Sequence, residues 1–161
     1  MSYSAYVNWG RRIPLIYKAL DIAKHTINYC IQSQHPISNL KLQKILYYAW
    51  IDYYCSTKKE LYLDDICAWQ LGPVIPEVYY EFCAYAGRPI TRLYNDDIIT
   101  AGDKEKIDEI LSKYLLVAAS TLVERSHQKG KPWDLVYQNG DGLRRIIPFD
   151  IIKALECKEE C

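Results

Sequence analysis

The chain has 161 residues, enough to bury the core of a single domain without a stabilising cross-link. Its 20 lysines and arginines balance 20 aspartates and glutamates, so the formal net charge is zero. Nucleic-acid binders normally show a basic excess or a basic stripe, so nucleic acid is not the expected partner. No apolar run reaches the ~20 residues of a membrane span, and the N-terminus lacks a signal-peptide pattern. We therefore expect a cytoplasmic protein with no membrane partner.

The six cysteines are irregularly spaced and form no CxxC motif; they stand at positions 30, 55, 67, 83, 157 and 161. In a cytosolic chain of this size, such cysteines are expected to be reduced thiols that pack as small apolar residues. Cys157 and Cys161 could share a helix face, but a zinc site there would need two further ligands that the neighbourhood does not offer. The sequence therefore predicts no metal and no cofactor.

The N-terminal half predicts an arm followed by two helices. Residues 1–13 show no clear period and are assigned to the arm, and residues 14–161 to one domain. Apolar residues at helical spacing predict a helix over 14–33. Ser38 is a suitable N-cap for a second helix, with Ile37 and Leu42 placed as a hydrophobic staple. Trp50 widens the apolar stripe of this second helix, which we therefore expect to be central.

The middle of the chain predicts a strand, a sharp corner and a third helix. Residues 66–71 have the composition of a short strand. Gly72 and Pro73 then turn the chain, Pro76 suits the first position of a helix, and Gly87 suits its end.

The C-terminal half predicts three more elements. Thr100 is placed to cap a long helix over 101–126, which has the clearest apolar period in the chain. A short helix over 133–137 follows, then a strand end at 144–147 and a final helix over 148–156. Together the elements predict a mainly α, compact helical domain of five to six helices with a small β-sheet or hairpin, an α+β arrangement.

The sequence offers no recognisable reaction. It has no glycine-rich phosphate loop and no GxSxG motif, and His25 and His35 have no nearby partner in sequence. His127 follows the long helix, either as a capping histidine packed near Trp133 or as a base acting with Cys67 or Asp134. The structural role is favoured, so we expect no catalytic residues and no enzyme.

Several ordered motifs resemble one known family. They are "LQK" at 42–44 with Tyr47, the run "AWQLGPVIPEVYY" at 68–80, "SHQKGKPW" at 126–133 and the closing "RRIIPFDIIKALE". Their order and separation, over roughly residues 15–156, resemble the Panacea domain family, which includes SocA-like antitoxins and GepA-type phage-associated proteins. Ser126 replaces the usual threonine of the third motif.

The resemblance implies a function by protein contact. Members look like antitoxins that bind and neutralise a toxin encoded beside them, so the expected partner is a cognate toxin. Two alternatives remain open: a proteolytic adaptor that delivers a client to a ClpXP-type protease, and a phage or mobile-element protein that binds a host factor as a counter-defence. We expect no fused DNA-binding domain of the kind that some relatives carry.

The corner at residues 72–76 is the expected contact region. Pro73 and Pro76 fix two backbone torsions, which lowers the entropic cost of docking, and Trp69, Tyr79 and Tyr80 are residue types that anchor interfaces. The tyrosine-rich composition is also compatible with a homo-oligomer. The candidate partner-binding residues are Gln43, Lys44, Tyr47, Trp69, Gln70, Gly72, Pro73, Val74, Glu77, Tyr80, His127 and Trp133.

Overall fold

The computed structural model describes residues 16–157, so the predicted arm at 1–13 lies outside the described residues. Within this range there are seven α-helices, two 3-10 turns and one two-stranded sheet. The mainly helical α+β prediction is confirmed, with more helices than the five to six expected. The elements are α1 Ala19–Gln32, α2 Asn39–Thr57, β1 Cys67–Trp69, β2 Gly72–Val74, α3 Pro76–Phe82, α4 Ala101–Ser112, α5 Ala119–Ser126, α6 Pro132–Tyr137 and α7 Phe149–Glu156, with 3-10 turns at Cys83–Tyr85 and Gln138–Gly140.

Helix α2 is the central element, as its sequence predicts. It contacts α1, α3, α4, α5, α7 and β2. Trp50 is fully buried, stacks on Phe149 of α7 at 4.7 Å between ring centroids, and donates from Nε1 to the Tyr62 carbonyl at 2.9 Å. Burying an aliphatic or aromatic side chain of this kind contributes about 1.5–3 kcal/mol. The core is therefore built around α2.

Local capping signals are confirmed. The Ser38 hydroxyl accepts from the backbone N–H of Lys41 at the start of α2, and the Thr100 hydroxyl accepts from Asp103 at the start of α4. Pro76 occupies the first turn of α3, where its missing N–H costs no hydrogen bond. These signals lie within a few residues of the structure that they determine.

The predicted strand is one arm of a hairpin. β1 pairs antiparallel with β2, with Trp69 opposite Gly72 and Cys67 opposite Val74. On its other side, β1 meets the predicted strand end at 144–147 as an isolated bridge between Cys67 and Ile146. β1 therefore lies in the middle, and β2 is held between β1 and the helices.

The predicted long helix over 101–126 is wrong in one respect, because it is broken between α4 and α5. The Lys41 ammonium of α2 donates to the Leu115 carbonyl at 2.6 Å. The backbone N–H of Val117 turns back to the Tyr114 carbonyl instead of continuing the helix. Tyr114 itself is buried, and its hydroxyl donates to Asp52 at 2.6 Å. Contacts with α2 thus take precedence over the helical period.

The expectation of six reduced thiols is also wrong. Cys55, at the end of α2, forms a disulfide with Cys157, which follows α7. Cys30 and Cys67 are buried thiols and Cys83 is an exposed one. The docking of α7 on α2 brings together two cysteines 102 residues apart. Cys161, the other member of the zinc alternative, lies outside the described residues.

His25 has partners that the sequence did not indicate. Its Nδ1 lies 2.7 Å from an Asp96 carboxylate oxygen and its Nε2 lies 2.6 Å from one of Asp108. Burial favours the neutral form of Asp96, but hydrogen bonds from Lys104 and His25 outweigh it and lower its pKa to about 2. The cluster ties α1 to α4 and to the segment before it, which is a structural role.

Candidate functional site

The polar side chains of α2 hold the corner (residues 72–76) by its backbone. The Lys44 ammonium donates to the Pro73 carbonyl at 2.8 Å. The Gln43 side-chain oxygen accepts from the backbone N–H of Ile75 at 2.9 Å, and its Nε2 donates to Asn39 at 3.0 Å. Buried backbone groups need such partners, because an unpaired one costs about 1–3 kcal/mol. The "LQK" motif therefore fixes the corner to α2.

Gly72 is required by both conformation and space. Its φ of +105° lies in a region that other residues rarely adopt. A Cβ there would lie 2.6 Å from the Ser126 hydroxyl and 2.9 Å from Cε of Lys44. The absence of a side chain allows α2, α5 and β2 to meet at one point.

Lys44 is a buried amine at this meeting point. Its side chain has no exposed surface, and among residues 16–157 no carboxylate lies within 4 Å of its ammonium. Because burial penalises the charged form, its pKa falls from 10.5 to about 7. The amine can therefore donate to Pro73 without carrying a full charge at neutral pH.

His127 joins the same cluster from the end of α5. Its ring stacks on Trp133 with centroids 3.8 Å apart, which confirms the packing that the sequence predicts. Its Nε2 is buried and has no hydrogen-bond partner in the described part of the chain. Burial, and then the positive charge of Lys44, lower its pKa. The ring is thus held neutral as a packing surface.

Trp133 connects α6 to the hairpin. Its Nε1 donates to the Trp69 carbonyl at 2.8 Å, and its ring stacks on Tyr137 at 4.4 Å on the side of α6. Together with Lys44 and Gln43, this bond means that both ends of the hairpin turn are held by side chains from other elements. Gln43, Lys44 and Trp133, which come from two separate family motifs, are therefore all buried and hold the hairpin and the corner; we call these three residues the buried frame.

A groove of about 340 Å³ opens beside the corner. The buried residues Asn39, Gln43 and Val74 line it, together with the partly exposed rings of Trp69 and Tyr79. Its other lining residues are Leu40, Gln70, Leu71, Cys83 and Ala86. The groove is mostly apolar; of its three amide side chains, Asn39 and Gln43 already make hydrogen bonds within the domain, and Gln70 is exposed.

The aromatic rings beside the groove form a connected cluster. Trp69 meets Tyr79 edge to face at 4.9 Å and Tyr80 at 6.0 Å, and the two tyrosines meet each other at 5.5 Å. Arg144 lies over the Trp69 ring, with its guanidinium carbon 5.3 Å from the centroid. Tyr80 remains 57% exposed. Large aromatic surface next to arginine is typical of protein interfaces.

The twelve predicted contact residues separate by exposure. Three are exposed (Gln70, Glu77 and Tyr80) and two partly exposed (Trp69 and His127). The other seven are buried: Gln43, Lys44, Tyr47, Gly72, Pro73, Val74 and Trp133. Among the buried ones, Gln43 and Lys44 turn inward and satisfy the backbone of the corner.

Several residues of this site are not among the twelve predicted contact residues. Asn39 and Tyr79 line the groove and are joined by a hydrogen bond from the Asn39 amide to the Tyr79 carbonyl at 3.0 Å. Arg144 reaches Trp69 from 75 positions further along the chain, so no local pattern could reveal it. Ser126 stands in a recognised motif, and its contact with Gly72 follows only from the fold.

Comparison with known proteins identifies the family. The family model described as "Antitoxin SocA-like, Panacea domain" matches residues 42–134, which is more than half of the chain. The chain belongs to this family. The matched range contains the buried frame, from Gln43 to Trp133, and most of the groove.

A curated relative of this Panacea protein is Antitoxin SocA of Caulobacter vibrioides (strain NA1000 / CB15N). The two are 35% identical over 119 residues, which cover 66% of this chain and 63% of the relative. The match thus spans less than two thirds of the relative's own length. No solved structure shows significant similarity to the chain.

Membrane-spanning helices and clustered metal ligands are both absent from residues 16–157. No helix between residues 16 and 157 is long and apolar enough to cross a membrane. In the same range, no group of three or more histidine, cysteine or acidic side chains is placed to hold a metal ion.

Proposed function

We propose that this Panacea protein is an antitoxin that neutralises a cognate toxin by forming a direct complex with it. Membership of the SocA-like antitoxin family supports the antitoxin role. The observation that carries the mode of action is a preformed apolar groove bordered by Trp69 and the exposed Tyr80. We expect this complex to form in the cytoplasm.

The proposal gives the predicted residues two different tasks. The buried frame, represented by Gln43, Lys44 and Trp133, positions the corner, and among these three only Gln43, which lines the groove, is within reach of a toxin side chain. The contact surface consists of Trp69, Tyr80 and the neighbouring exposed residues. This division follows from burial, because a fully covered side chain offers no area to a partner that docks without unfolding the domain.

The preformed corner favours tight binding. Binding sites lose affinity when loops and side chains must be ordered on association, at about 0.5–1.5 kcal/mol for each immobilised side chain. Here the backbone at Pro73 and Ile75 is already fixed by Lys44 and Gln43. The groove volume is suited to one or two apolar side chains of a partner, which matches the anchor-in-pocket arrangement of interface hot spots.

We infer that the protein acts by binding and not by catalysis. The polar side chains of Lys44, Ser126 and His127 are engaged in structure or packing. The Ser126 hydroxyl donates to the Val123 carbonyl at 2.8 Å, Lys44 donates to Pro73, and the His127 ring is stacked on Trp133. A nucleophile and base that act together need a mutual hydrogen bond and access to substrate, and this cluster offers neither.

The direct test is toxicity relief with the protein encoded by the adjacent gene. We expect co-expression of wild-type protein to restore growth and a 1:1 or higher-order complex to co-purify. Tyr80→Ala should weaken the complex at least tenfold, since a truncated hot-spot tyrosine costs 2 kcal/mol or more, about 30-fold in affinity. The matched control is Leu63→Ala, a residue that is 53% exposed and does not line the groove.

Two results would contradict the proposal. If the protein encoded by the adjacent gene is toxic and stays toxic when the wild-type protein is co-expressed, the antitoxin hypothesis is wrong. Growth restored without any complex, with toxin half-life shortened instead, would replace direct neutralisation by delivery to a protease. Circular dichroism of each variant would show that a loss of binding does not come from a loss of fold.

A further inference from the structure

Arg144 is an exposed cation held in a fixed place beside the groove. Its guanidinium carbon lies 5.3 Å from the centroid of the Trp69 ring. No carboxylate of the described residues forms an ion pair with it. The side chain of an exposed arginine normally samples many rotamers, so its fixed position against an aromatic ring indicates a specific role.

The backbone at Arg144 supports this placement. Its φ is +66°, in the left-handed region that residues other than glycine, asparagine and aspartate adopt rarely, and such strain costs on the order of 1 kcal/mol. A 2.7 Å hydrogen bond from its N–H to the Ala68 carbonyl fixes the segment against β1. Strained residues of this kind concentrate at binding sites.

Building on the proposed function, we propose that Arg144 binds a carboxylate of the toxin, next to an apolar toxin side chain that enters the groove. A guanidinium that faces an aromatic ring keeps its N–H edge available for bidentate hydrogen bonds to a carboxylate. When the toxin docks, it covers the Arg144 guanidinium and the bound carboxylate and excludes water from them. This strengthens their interaction relative to an exposed ion pair. The occupant is therefore a protein segment with an aspartate or glutamate beside a leucine- or phenylalanine-like residue.

The charges around the groove favour one orientation of the bound toxin segment. Glu77 and Glu81 are exposed on α3, the helix that carries Tyr80, so that side of the site is negative. A carboxylate of the toxin is thus favoured near Arg144 and disfavoured near α3. A nucleic acid fits less well, because its phosphates would meet these glutamates and the apolar groove would remain unused.

Charge-reversal variants test the proposal in the complex of full-length protein and neighbouring toxin. We expect Arg144→Glu to raise the dissociation constant at least tenfold. Arg144→Lys should raise it several-fold, because lysine lacks the planar guanidinium that binds a carboxylate through two hydrogen bonds. Both replacements keep a non-glycine residue at φ +66°, so backbone strain is unchanged. Arg145→Glu is the matched control, since it makes the same charge change at the adjacent exposed arginine, which contacts no aromatic ring within the described residues.

Rescue by the toxin identifies the partner group. Each acidic residue of the toxin is replaced by lysine, and one replacement should restore binding to Arg144→Glu while weakening binding to the wild-type protein. Equal affinity of the Arg144→Glu variant and wild type, or rescue by no toxin residue, would overturn this inference and leave the antitoxin proposal standing. Failure of the wild-type protein to bind the toxin would instead overturn the proposed function. Tighter binding of duplex DNA than of toxin, lost in Arg144→Glu, would also refute the inference.

Discussion

The buried amine of Lys44 predicts a measurable link between stability and pH. Its pKa falls from 10.5 to about 7 because the folded protein excludes water from the charged form. Between these two values the unfolded chain binds a proton that the folded protein does not bind. Stability therefore rises as the pH rises through this window, and it is lost as the pH falls from about 10.5 towards 7. Below pH 7 both states are protonated and the contribution stays constant.

The size of the effect follows from the shift. The full shift corresponds to roughly 5 kcal/mol, at about 1.4 kcal/mol for each pH unit inside the window. Over the accessible range from pH 7.5 to 9.5, Lys44 should add about 2 kcal/mol to the free energy of unfolding. Lys44→Met removes the titrating group but keeps a chain of similar length. The difference in stability between wild type and variant should therefore increase by about 2 kcal/mol across this range.

Urea denaturation at several pH values measures this difference. Tyrosine ionisation in the upper part of the range is common to both proteins and cancels. The control is Lys129→Met at an exposed lysine, which should leave the pH dependence of stability unchanged. Parallel pH profiles for wild type and Lys44→Met would show that Lys44 stays charged in the folded protein, contrary to this reasoning. Should the variant fail to fold, the ¹³Cε shift of Lys44, titrated by NMR in the wild type, gives the same answer.

Three further predictions concern the corner, the frame and the cross-link. Gly72→Ala should destabilise the protein by roughly 3 kcal/mol or more in urea denaturation, because the new Cβ meets the Ser126 hydroxyl at 2.6 Å at a φ of +105°; a change under 0.5 kcal/mol would contradict the geometry. Trp133→Phe should cost about 1–2 kcal/mol, since it leaves a carbonyl of β1 without its donor, and an unchanged melting temperature would show that water replaces the indole. Replacing Cys55 and Cys157 by serine should cost roughly 4 kcal/mol, as expected for a loop of about 100 residues, whereas equal stability of the oxidised protein and the variant would mean that the cross-link constrains little.

The fold was predictable where its causes are local. Ser38 and Thr100 cap their helices by hydrogen bonds three residues away, and the apolar stripe of α2 made its central position evident. The break between α4 and α5 was not predictable, because it depends on Lys41, which reaches Leu115 across 74 residues. β2 was missed for a different reason: glycine and proline carry little strand propensity, and Pro73 is tolerated there because its missing N–H is not needed.

The candidate site was predictable only as a set of motifs. The sequence placed Lys44, Trp69, His127 and Trp133 together in one family pattern, but it could not show that two of them are buried. Burial of a lysine depends on a donor–acceptor match with the Pro73 carbonyl, which exists only after the hairpin packs on α2. Arg144 stands in a recognised motif, but its contact with Trp69 has no signal in sequence, since it depends on the bridge between β1 and the segment before α7.

The division between frame and contact surface suggests how one domain can serve different partners. The frame residues satisfy backbone hydrogen bonds of the hairpin and corner, so changing any one of them leaves a buried polar group unpaired and destabilises the corner. The exposed residues around the groove, such as Gln70, Leu71 and Tyr80, do not have to satisfy buried hydrogen-bonding groups. Substitutions there change the shape and charge offered to a partner at little cost in stability. Partner choice can therefore vary at these exposed positions, while the buried positions of the same motifs stay fixed because they form the frame.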